Sequence, residues 1–419
     1  MTREDAVAPG AAGSTARATA SDRELAHLVR DEAARIVASL TVTTGSLDVA
    51  EEATASAIEE ALHDWRRRGV PPRPGGWLMQ AARHNALDRM RRDKTYRAKL
   101  ALLATRADEQ TAQPEADERL SLLFGCCHPA LAPEAQLALT LRAVLGVTTA
   151  QIARATLERD ATVGQRISRA KRKMADAAIP LRIPEQSERV DRLDIVLTVL
   201  SVMYGSAHLA AGADAGTDRD LAEDALWLAR VVADALPREA EAAGLRAMLL
   251  FHRAREAARA VDGELVLLGD QDRSRWDRAL IAQGQAELAR AAALRTPGRW
   301  QLHAAIAACH TDARTWQETD WPQMLVLYDM LLRYDRSPLV RLNRAVVLAE
   351  VAGAARALDE VDGLRGALER YHLWHAVRAR LLRALGRDDE ATGADERALE
   401  LTANEAERRL LAARLARER

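Results

Sequence analysis

The sequence predicts an all-α protein, and three observations support this class. Apolar residues recur at helical spacings in long stretches of the chain. Aromatic residues make up only 4% of the 419 residues, whereas Ala, Leu, Arg and Glu dominate, a composition that favours helices over strands. Alternating runs of β-branched residues, which would indicate strands, are few. We therefore expect several helical domains, each with its own core.

Composition divides the chain into a tail, a linker and three domains. Residues 1–21 lack a helical pattern and are predicted to be a disordered tail. Residues 22–105 form the first predicted domain, and residues 120–185 form the second. The polar, acidic residues 106–119 between them are typical of a flexible linker. Residues 189–419, rich in Ala and Leu with balanced charge, form the third domain.

The first domain has a strong local excess of positive charge. An apolar stripe ends at Gly45, and a second helix is predicted to begin at Asp48, where Asp48 and Glu51 have the spacing of a capping box. A loop rich in Pro and Gly, residues 66–76, precedes a helix that is predicted to start at Trp77. Residues 66–99 contain eleven Lys or Arg against two Asp, although the formal net charge of the chain is only -1. A polyanionic partner would therefore bind a local patch.

The second domain contains two short helices joined by a tight turn. Thr148 and Gln151 have the spacing of a capping box before the first helix, and Asp160 is predicted to be the N-cap of the second. Residues 161–174 of the second helix carry five cations and no anion. This pattern indicates a helix-turn-helix, whose second helix enters the major groove of DNA. Its predicted core stripe consists of Val163, Ile167, Ala170 and Met174.

A helix-turn-helix also predicts which side chains contact DNA. Side chains near the start of the second helix are expected at base edges, and the later cations at phosphates. The predicted base contacts are Thr162, Val163, Gln165 and Arg166. The predicted phosphate contacts are Arg169, Lys171, Arg172 and Lys173.

The third domain contains a degenerate repeat. Gly353 recurs as Gly386, 33 residues later, and Ala357 recurs as Ala391, 34 residues later. This is the period of tetratricopeptide repeats, in which stacked helical hairpins form a concave surface for a partner. We therefore expect a tetratricopeptide-like helical domain that either regulates the first two domains or docks a protein partner.

Several classes of protein and site are disfavoured. Three cysteines give no disulfide framework, no apolar stretch is long enough to span a membrane, and the N-terminus lacks a secretion signal, so a cytoplasmic location without membrane contact is expected. The segment Cys126–His128 is interpreted as buried packing and not as a metal site. Asp270, Asp272, Arg273 and Arg275 are interpreted as a salt-bridged contact near a helix start, because no catalytic motif accompanies them. We expect neither an enzyme nor a cofactor.

The first 185 or so residues resemble an extracytoplasmic-function sigma factor of bacterial RNA polymerase. Residues 45–62 are similar to the clamp-binding helix of that family, residues 75–94 to its promoter-melting helix, and residues 148–174 to its motif that reads the minus-thirty-five element. The resemblance extends to one subgroup with a tetratricopeptide-like extension, through residues 126–142, 169–184 and 262–281. It implies binding to core RNA polymerase and promoter DNA, with no chemistry of the chain's own.

The resemblance also implies site residues in the first domain. The clamp-binding helix would contact core polymerase through Asp48, Glu51, Glu52, Ile58 and Leu62. The melting helix would hold the non-template strand through Arg83, Asn85, Arg89 and Arg92, while the loop before it captures an extruded base. Asp88 is expected to orient neighbouring arginines, and Trp65 and Trp77 are expected to be core anchors.

The sequence departs from the family pattern at two places. Residues 54–57 read Thr-Ala-Ser-Ala where the family usually has Val-Gln-Glu-Ala, and residues 204–216 replace a segment that usually contains Asn-Glu-Gly-Tyr. Two other functional classes stay open. One is an autonomous helix-turn-helix regulator with a repeat sensor domain, which would need a dimer. The other is an enzyme or scaffold built on the repeats.

Overall fold

The computed structural model describes residues 32–92, 118–156, 158–209, 221–261 and 264–417. The predicted tail and residues 106–117 of the predicted linker lie outside these ranges. The prediction of an all-α fold is confirmed. In the described ranges the one sheet is a small antiparallel pair, Ala260–Val261 with Glu264–Leu265, and the remaining regular structure is helical. The chain divides into two compact units, residues 1–199 and 200–419.

The first unit begins with three helices around a small apolar core. Helix α1 covers residues 32–44, α2 covers Leu47–Arg68 and α3 covers Pro74–Arg92. Helices α2 and α3 therefore extend into both ends of the predicted loop at residues 66–76. The ring of Trp65 is buried and packs edge-on against Trp77, with 5.6 Å between centroids, so Trp65 is a core anchor as predicted, while Trp77 is half-buried.

Helix α2 is capped by a different residue from the one predicted. Its N-cap is Ser46, whose hydroxyl accepts a hydrogen bond from the main-chain nitrogen of Val49. Asp48 instead lies in the first turn of the helix. The predicted capping box of Asp48 and Glu51 is therefore wrong, because Ser46 caps the helix and both carboxylates bond elsewhere.

Five further helices follow, of which four lie in the first unit and the fifth begins in the first unit and ends in the second. They are α4 (Glu118–Cys126), α5 (Pro133–Leu139, continued by a π-helical turn at Thr140–Val144), α6 (Thr149–Thr156), α7 (Asp160–Asp176) and α8 (Gln186–Leu209). Buried Arg192 of α8 donates to the carbonyl of Phe124 at 2.7 Å. Cys126 and Cys127 are buried, and burial raises the pKa of the Cys127 thiol to about 12. This agrees with the packing interpretation of these cysteines.

The second unit is a succession of helical pairs. After the last residues of α8 it contains α9 (Leu221–Ala235), α10 (Ala240–Ala254), α11 (Arg278–Ala293), α12 (Arg299–Asp312), α13 (Trp321–Leu331), α14 (Pro338–Ala352), α15 (Ala354–Asp362), α16 (Arg365–Leu368), α17 (His372–Ala384), α18 (Asp388–Leu401) and α19 (Glu405–Arg417). Short 3₁₀ turns at Glu256–Ala258, Leu268–Asp270 and Arg273–Arg275 lie between α10 and α11.

Acidic side chains start several of these helices, α11 and α12 among them. Asp277 caps α11 by accepting hydrogen bonds from the main-chain nitrogens of Ala279 and Leu280, at 2.8 and 3.0 Å. The helix start predicted near Asp270 and Asp272 therefore lies a few residues later. Glu241 of α10 accepts from the main-chain nitrogens at the start of α12, which joins the two helices and satisfies donors that a helix leaves unpaired.

The two recurring glycines occupy equivalent places in successive helical pairs. Gly353 lies between α14 and α15 with φ of 88°, and Gly386 lies between α17 and α18 with φ of 71°. Side chains other than glycine rarely adopt this left-handed region. Ala357 and Ala391, the other recurring pair, are both fully buried in the second helix of their pair. Assignment of this unit to the tetratricopeptide class stays a prediction.

Candidate nucleic-acid interface

Helices α6 and α7 form the predicted helix-turn-helix. The capping box is confirmed: Gln151 donates its main-chain N–H to the Thr148 hydroxyl, and Thr148 donates its own to the Gln151 side chain at 3.0 Å. Helix α7 begins at Asp160 with Arg159 at the N-cap position. The prediction that Asp160 is the N-cap is wrong, but its carboxylate lies in the first turn, where the helix dipole favours a negative charge.

The apolar stripe of α7 faces the core as predicted. Val163, Ile167, Ala170 and Met174 are all buried. The expectation that Val163 also faces base edges is therefore wrong, because its exposed fraction is 0% and a fully covered side chain has no surface for DNA. Val163 is buried because it lies on the apolar stripe of α7, which faces the core.

The opposite side of α7 is an exposed basic surface. Thr162 and Gln165 are exposed in its first half, and Arg169, Arg172 and Lys173 are exposed in its second half. In the part of the chain that the structure describes, none of these three cations forms an ion pair. We call Arg169, Arg172 and Lys173 the α7 cation row. Their charge is available to an external anion.

Arg166 is paired within the helix-turn-helix itself. Its guanidinium donates two hydrogen bonds of 2.6 Å to the two carboxylate oxygens of Glu158, in the turn between the helices. The hydrogen bonds from Arg166 lower the pKa of Glu158, and the same bonds raise the pKa of Arg166. The pair fixes the turn against α7, so Arg166 is not an unpaired cation in this arrangement.

Lys171 joins α7 to α2. Its ammonium lies 2.7 Å from Asp48 Oδ1 and 2.8 Å from Glu51 Oε2, and Arg142 Nε lies 3.7 Å from the same Glu51 oxygen. Burial by itself would lower the pKa of Lys171, but the charge of Glu51 and the hydrogen bonds to both carboxylates outweigh it and raise that pKa. The contact covers the ammonium: the Lys171 side chain is 13% exposed.

Helix α3 presents a second basic face, and α2 partly neutralises it. Arg83 is exposed, Asn85 donates to Glu60 at 3.0 Å and Arg89 pairs with Glu52. Asp88 pairs with Arg91 and His84, in agreement with its predicted orienting role. The side chain of Arg92 lies outside the described part of the structure.

The predicted polymerase contacts lie along α2 in two different environments. Asp48, Glu51 and Glu52 are engaged with cations of α7 and α3, whereas Ile58 is half-buried and Leu62 is exposed. In the unusual segment at residues 54–57, Thr54 and Ala57 are buried, and the Thr54 hydroxyl donates to the Ala50 carbonyl at 2.7 Å. Of the three departures, at Thr54, Ala55 and Ser56, Thr54 therefore belongs to the core and not to the surface of α2.

Sequence reasoning missed the partners that order these side chains. Glu158 and Arg142 received no role, although both contact predicted site residues. Glu60 was likewise missed; it lies eight residues after Glu52, and both bond to α3. That spacing places two acidic residues on one side of a helix and is a signal that the sequence does contain.

The described residues contain no helix with the length and apolarity needed to cross a bilayer. The same residues contain no group of three or more His, Cys, Asp or Glu side chains arranged to hold a metal ion.

Comparison with known proteins finds two matching families and one similar protein. Residues 121–174 match the family described as sigma-70, region 4, and residues 192–292 match a family of unknown function (DUF6596). An uncharacterized protein of Rhizobium meliloti (strain 1021) is 38% identical over 372 residues, which cover 86% of this chain and 88% of that protein. No solved structure matches the chain.

Proposed function

The chain belongs to one family with the Rhizobium meliloti protein and carries a sigma-70 region 4 domain, and on this basis we propose that it is an extracytoplasmic-function sigma factor. In this role it binds core RNA polymerase, recognises promoter DNA and directs transcription initiation. The observation that carries the proposal is the α7 cation row, exposed on the second helix of the matched domain.

Helix α7 is proposed to read the upstream promoter element. Thr162 and Gln165, exposed near the start of the helix, are the side chains that would reach base edges. The α7 cation row would contact phosphates, which position the helix without specifying sequence. Arg166 would hold the turn through Glu158, so its contribution to DNA binding is to order the reading helix.

Helix α3 is proposed to bind the separated strand at the downstream element. Holding bases outside the duplex costs a few kcal/mol, which a basic channel with stacking faces offsets. Arg83 is exposed and suits a backbone phosphate. Asn85 and Arg89 bond to carboxylates of α2, so they would be presented in fixed orientations. Trp77 packs on Trp65 and is not assigned a stacking role.

Helix α2 is proposed to bind core polymerase, and its first turn is covered in this structure. Lys171 of the DNA-reading helix lies against Asp48 and Glu51, two of the proposed polymerase contacts. A polymerase surface that binds these carboxylates therefore has to displace Lys171. Once displaced, Lys171 adds a cation to the α7 surface, so binding to polymerase and exposure of the DNA-reading helix favour one another.

The second unit is proposed to regulate these activities or to dock a protein partner. It consists of successive helical pairs, an architecture that offers extended surfaces. Its matched family has no known function, so this role rests on the repeat pattern of the sequence.

Run-off transcription with purified core polymerase tests the proposal. The intact chain should produce transcripts from its promoter, and the double variant Arg169→Glu/Arg172→Glu should not. Arg182→Glu is the matched control, since Arg182 is an exposed cation beyond the end of α7. Equal activity of all three proteins would contradict the proposed role of the α7 cation row.

An autonomous helix-turn-helix regulator is a second candidate, because the matched sigma-70 region covers residues 121–174 and helix-turn-helix domains also read DNA in dimeric repressors and regulators. A gel-shift assay separates the two functions. Tight, specific DNA binding by the protein without core polymerase would favour the regulator, whereas specific binding only with polymerase would favour the sigma factor.

A further inference from the structure

A cluster of buried arginines lies in the second unit, at the end of α10. Arg255 directly follows this helix, Arg259 follows the next 3₁₀ turn, and Arg273 opens the 3₁₀ turn before α11. Arg255 and Arg273 are each only 8% exposed, and Arg259 is half-buried. We call these three residues the buried arginine cluster. Arginine is almost never buried without a partner.

Among the described residues, the buried arginine cluster has no carboxylate in ion-pair contact; Glu256 and Glu318 act on Arg259 and Arg273 at longer range. Within the part of the chain that the structure describes, no carboxylate lies within 4.0 Å of any of its three guanidinium groups. The nearby Glu256 pairs with Arg253 and is substantially exposed. Burial, and then the charge of Arg259, lower the pKa of Arg255 to about 10, and burial likewise lowers the pKa of Arg259 and of Arg273. Removing a cation from water without a partner is costly.

The histidines around the cluster do not offset this charge. Arg255 Nη2 and Arg259 Nη2 lie 3.2 and 3.3 Å from His252 Nδ1, a neutral acceptor at best. Burial, together with Arg255 and Arg273, lowers the pKa of His310 to about 3, so this imidazole is neutral at pH 7. The cluster therefore carries an excess of positive charge.

Several buried donors in the cluster also lack acceptors. Arg255 Nε, Arg273 Nη2 and Trp276 Nε1 are buried with no hydrogen-bond acceptor among the described residues. A buried donor without a protein acceptor usually has an ion or water as its partner. Three such donors at one place, without an acceptor in the described part of the chain, favour a site that an anion or water completes.

The geometry of the cluster is fixed by its surroundings. Arg273 Nη1 donates to the carbonyls of His310 and Ala313, at 2.7 and 2.8 Å, which holds the guanidinium plane. The ring of Trp276 lies beneath both buried guanidinium groups, 4.8 Å from Arg273 and 6.0 Å from Arg255. Main-chain carbonyls therefore hold Arg273, for which the sequence predicted a salt bridge. Its Nη2 has no acceptor among the described residues and remains available to a ligand.

We propose that the buried arginine cluster binds the oxyanion of a small molecule, a phosphate or carboxylate group. Arg255 and Arg273 hold the anion, the Trp276 indole N–H donates a further hydrogen bond, and Arg259 lies at the more exposed side. Guanidinium groups match both kinds of oxyanion through paired N–H donors. This site does not depend on the proposed role in transcription, because all of its residues lie in the second unit.

Thermal unfolding of the full chain tests the proposal. Inorganic phosphate or acetate is added at constant ionic strength, with chloride as the balancing anion. A ligand that binds the folded state raises the unfolding temperature with a saturable dependence on its concentration. We expect saturation with at least one of the two probes, and the stronger probe identifies the class of oxyanion. If neither raises the unfolding temperature above the chloride series, the proposal is overturned.

Three variants locate the effect. Arg255→Met and Arg273→Gln should each weaken binding of the probe by roughly tenfold or more, because each removes charged hydrogen bonds. Arg275→Gln is the matched control: Arg275 lies on the same turn as Arg273 but is exposed, and its affinity for the probe should change less than about twofold.

A purely structural role of the cluster gives a different result. Arg255→Met removes an uncompensated buried charge, so without added anion its unfolding temperature should equal or exceed that of the native chain. A lower unfolding temperature together with unchanged probe affinity would overturn the proposal, as would equal probe affinity in all the variants. Should a variant not fold, the other one and the titration of the native chain still decide the question.

Discussion

The α7 cation row and the buried arginine cluster differ in their exposure to water. Arg169, Arg172 and Lys173 project from α7 into solvent, whereas Arg255 and Arg273 are buried and form no ion pair among the described residues. Exposed cations stay hydrated and suit an extended polyanion, whose phosphates are spaced along a groove. Buried cations suit one small anion, which must replace the lost water. Burial, and not the number of arginines, therefore separates the two kinds of site.

The same comparison explains the acidic side chains of α2. In α7, the two cations that are not exposed have carboxylate partners: Lys171 pairs with Asp48 and Glu51, and Arg166 pairs with Glu158. Some basic groups of the first unit are thus held in ion pairs, and a binding partner can replace the carboxylate in such a pair. The buried arginine cluster has no such pair in the described residues, which is why it calls for an external ligand.

Charge reversal of the α7 cation row should have the largest effect. Arg169→Glu/Arg172→Glu is expected to weaken promoter binding by the complex with polymerase by about 100-fold or more, since phosphate contacts dominate affinity. The slope of log affinity against log salt concentration should fall by about 2, one for each lost contact. Fluorescence anisotropy at several salt concentrations measures both quantities. An unchanged salt slope would show that these cations do not contact phosphates.

Replacing a buried residue of α7 should affect folding and not recognition. Val163→Ala is expected to lower the free energy of unfolding by about 1–3 kcal/mol, because Val163 is fully buried. Thr162→Ala, at the exposed neighbouring position, should leave stability nearly unchanged and alter DNA sequence preference. Urea unfolding and binding to altered promoters distinguish the two positions. The reverse pattern would show that Val163, and not Thr162, faces DNA.

Releasing the contact between α7 and α2 should have a smaller effect. Lys171→Met removes the cation that covers Asp48 and Glu51, and we expect polymerase to bind severalfold more tightly, on the order of 1 kcal/mol. Lys173→Met is the control, because Lys173 is exposed two residues away and should not change the affinity for polymerase. Equal affinities of the two variants would mean that the contact does not restrain α2.

The ion pair of Glu158 and Arg166 should give the smallest effect, and it depends on pH. Hydrogen bonds from Arg166 hold the pKa of Glu158 below its usual 4.5, so the pair stabilises the fold fully above that pH and loses its effect as pH falls through the lowered value. The difference in unfolding free energy between the native chain and Glu158→Gln should therefore vanish in acid. A difference that stays constant from pH 7 to pH 3 would contradict this.

Local patterns in the sequence predicted what depends on neighbours along the chain. The core stripe of α7, the Thr148–Gln151 capping box and the end of the first apolar stripe at Gly45 agree with the structure. Each depends on spacing within one or two turns of helix. The N-caps at Asp48 and Asp160 were predicted wrongly, because several polar residues near a helix start compete for one position and small differences in backbone geometry decide between them.

Contacts between distant residues were not predictable in this way. Lys171 binds Asp48 and Glu51, which lie more than one hundred residues earlier in the chain. Only tertiary packing brings these side chains together. The same holds for Arg273, whose partners are main-chain carbonyls of α12 and the residue after it. A sequence shows that an arginine is present, but only the fold shows whether it is covered and what neutralises it.

Mapping the 5′ ends of transcripts tests the central claim most directly. Core polymerase is incubated with a pool of bacterial DNA fragments, with and without the full chain, and the ends of the new RNA are sequenced. The proposed function predicts that the chain binds the polymerase and concentrates initiation at a set of sites that share two spaced sequence elements. Initiation at the same sites with and without the chain would contradict it.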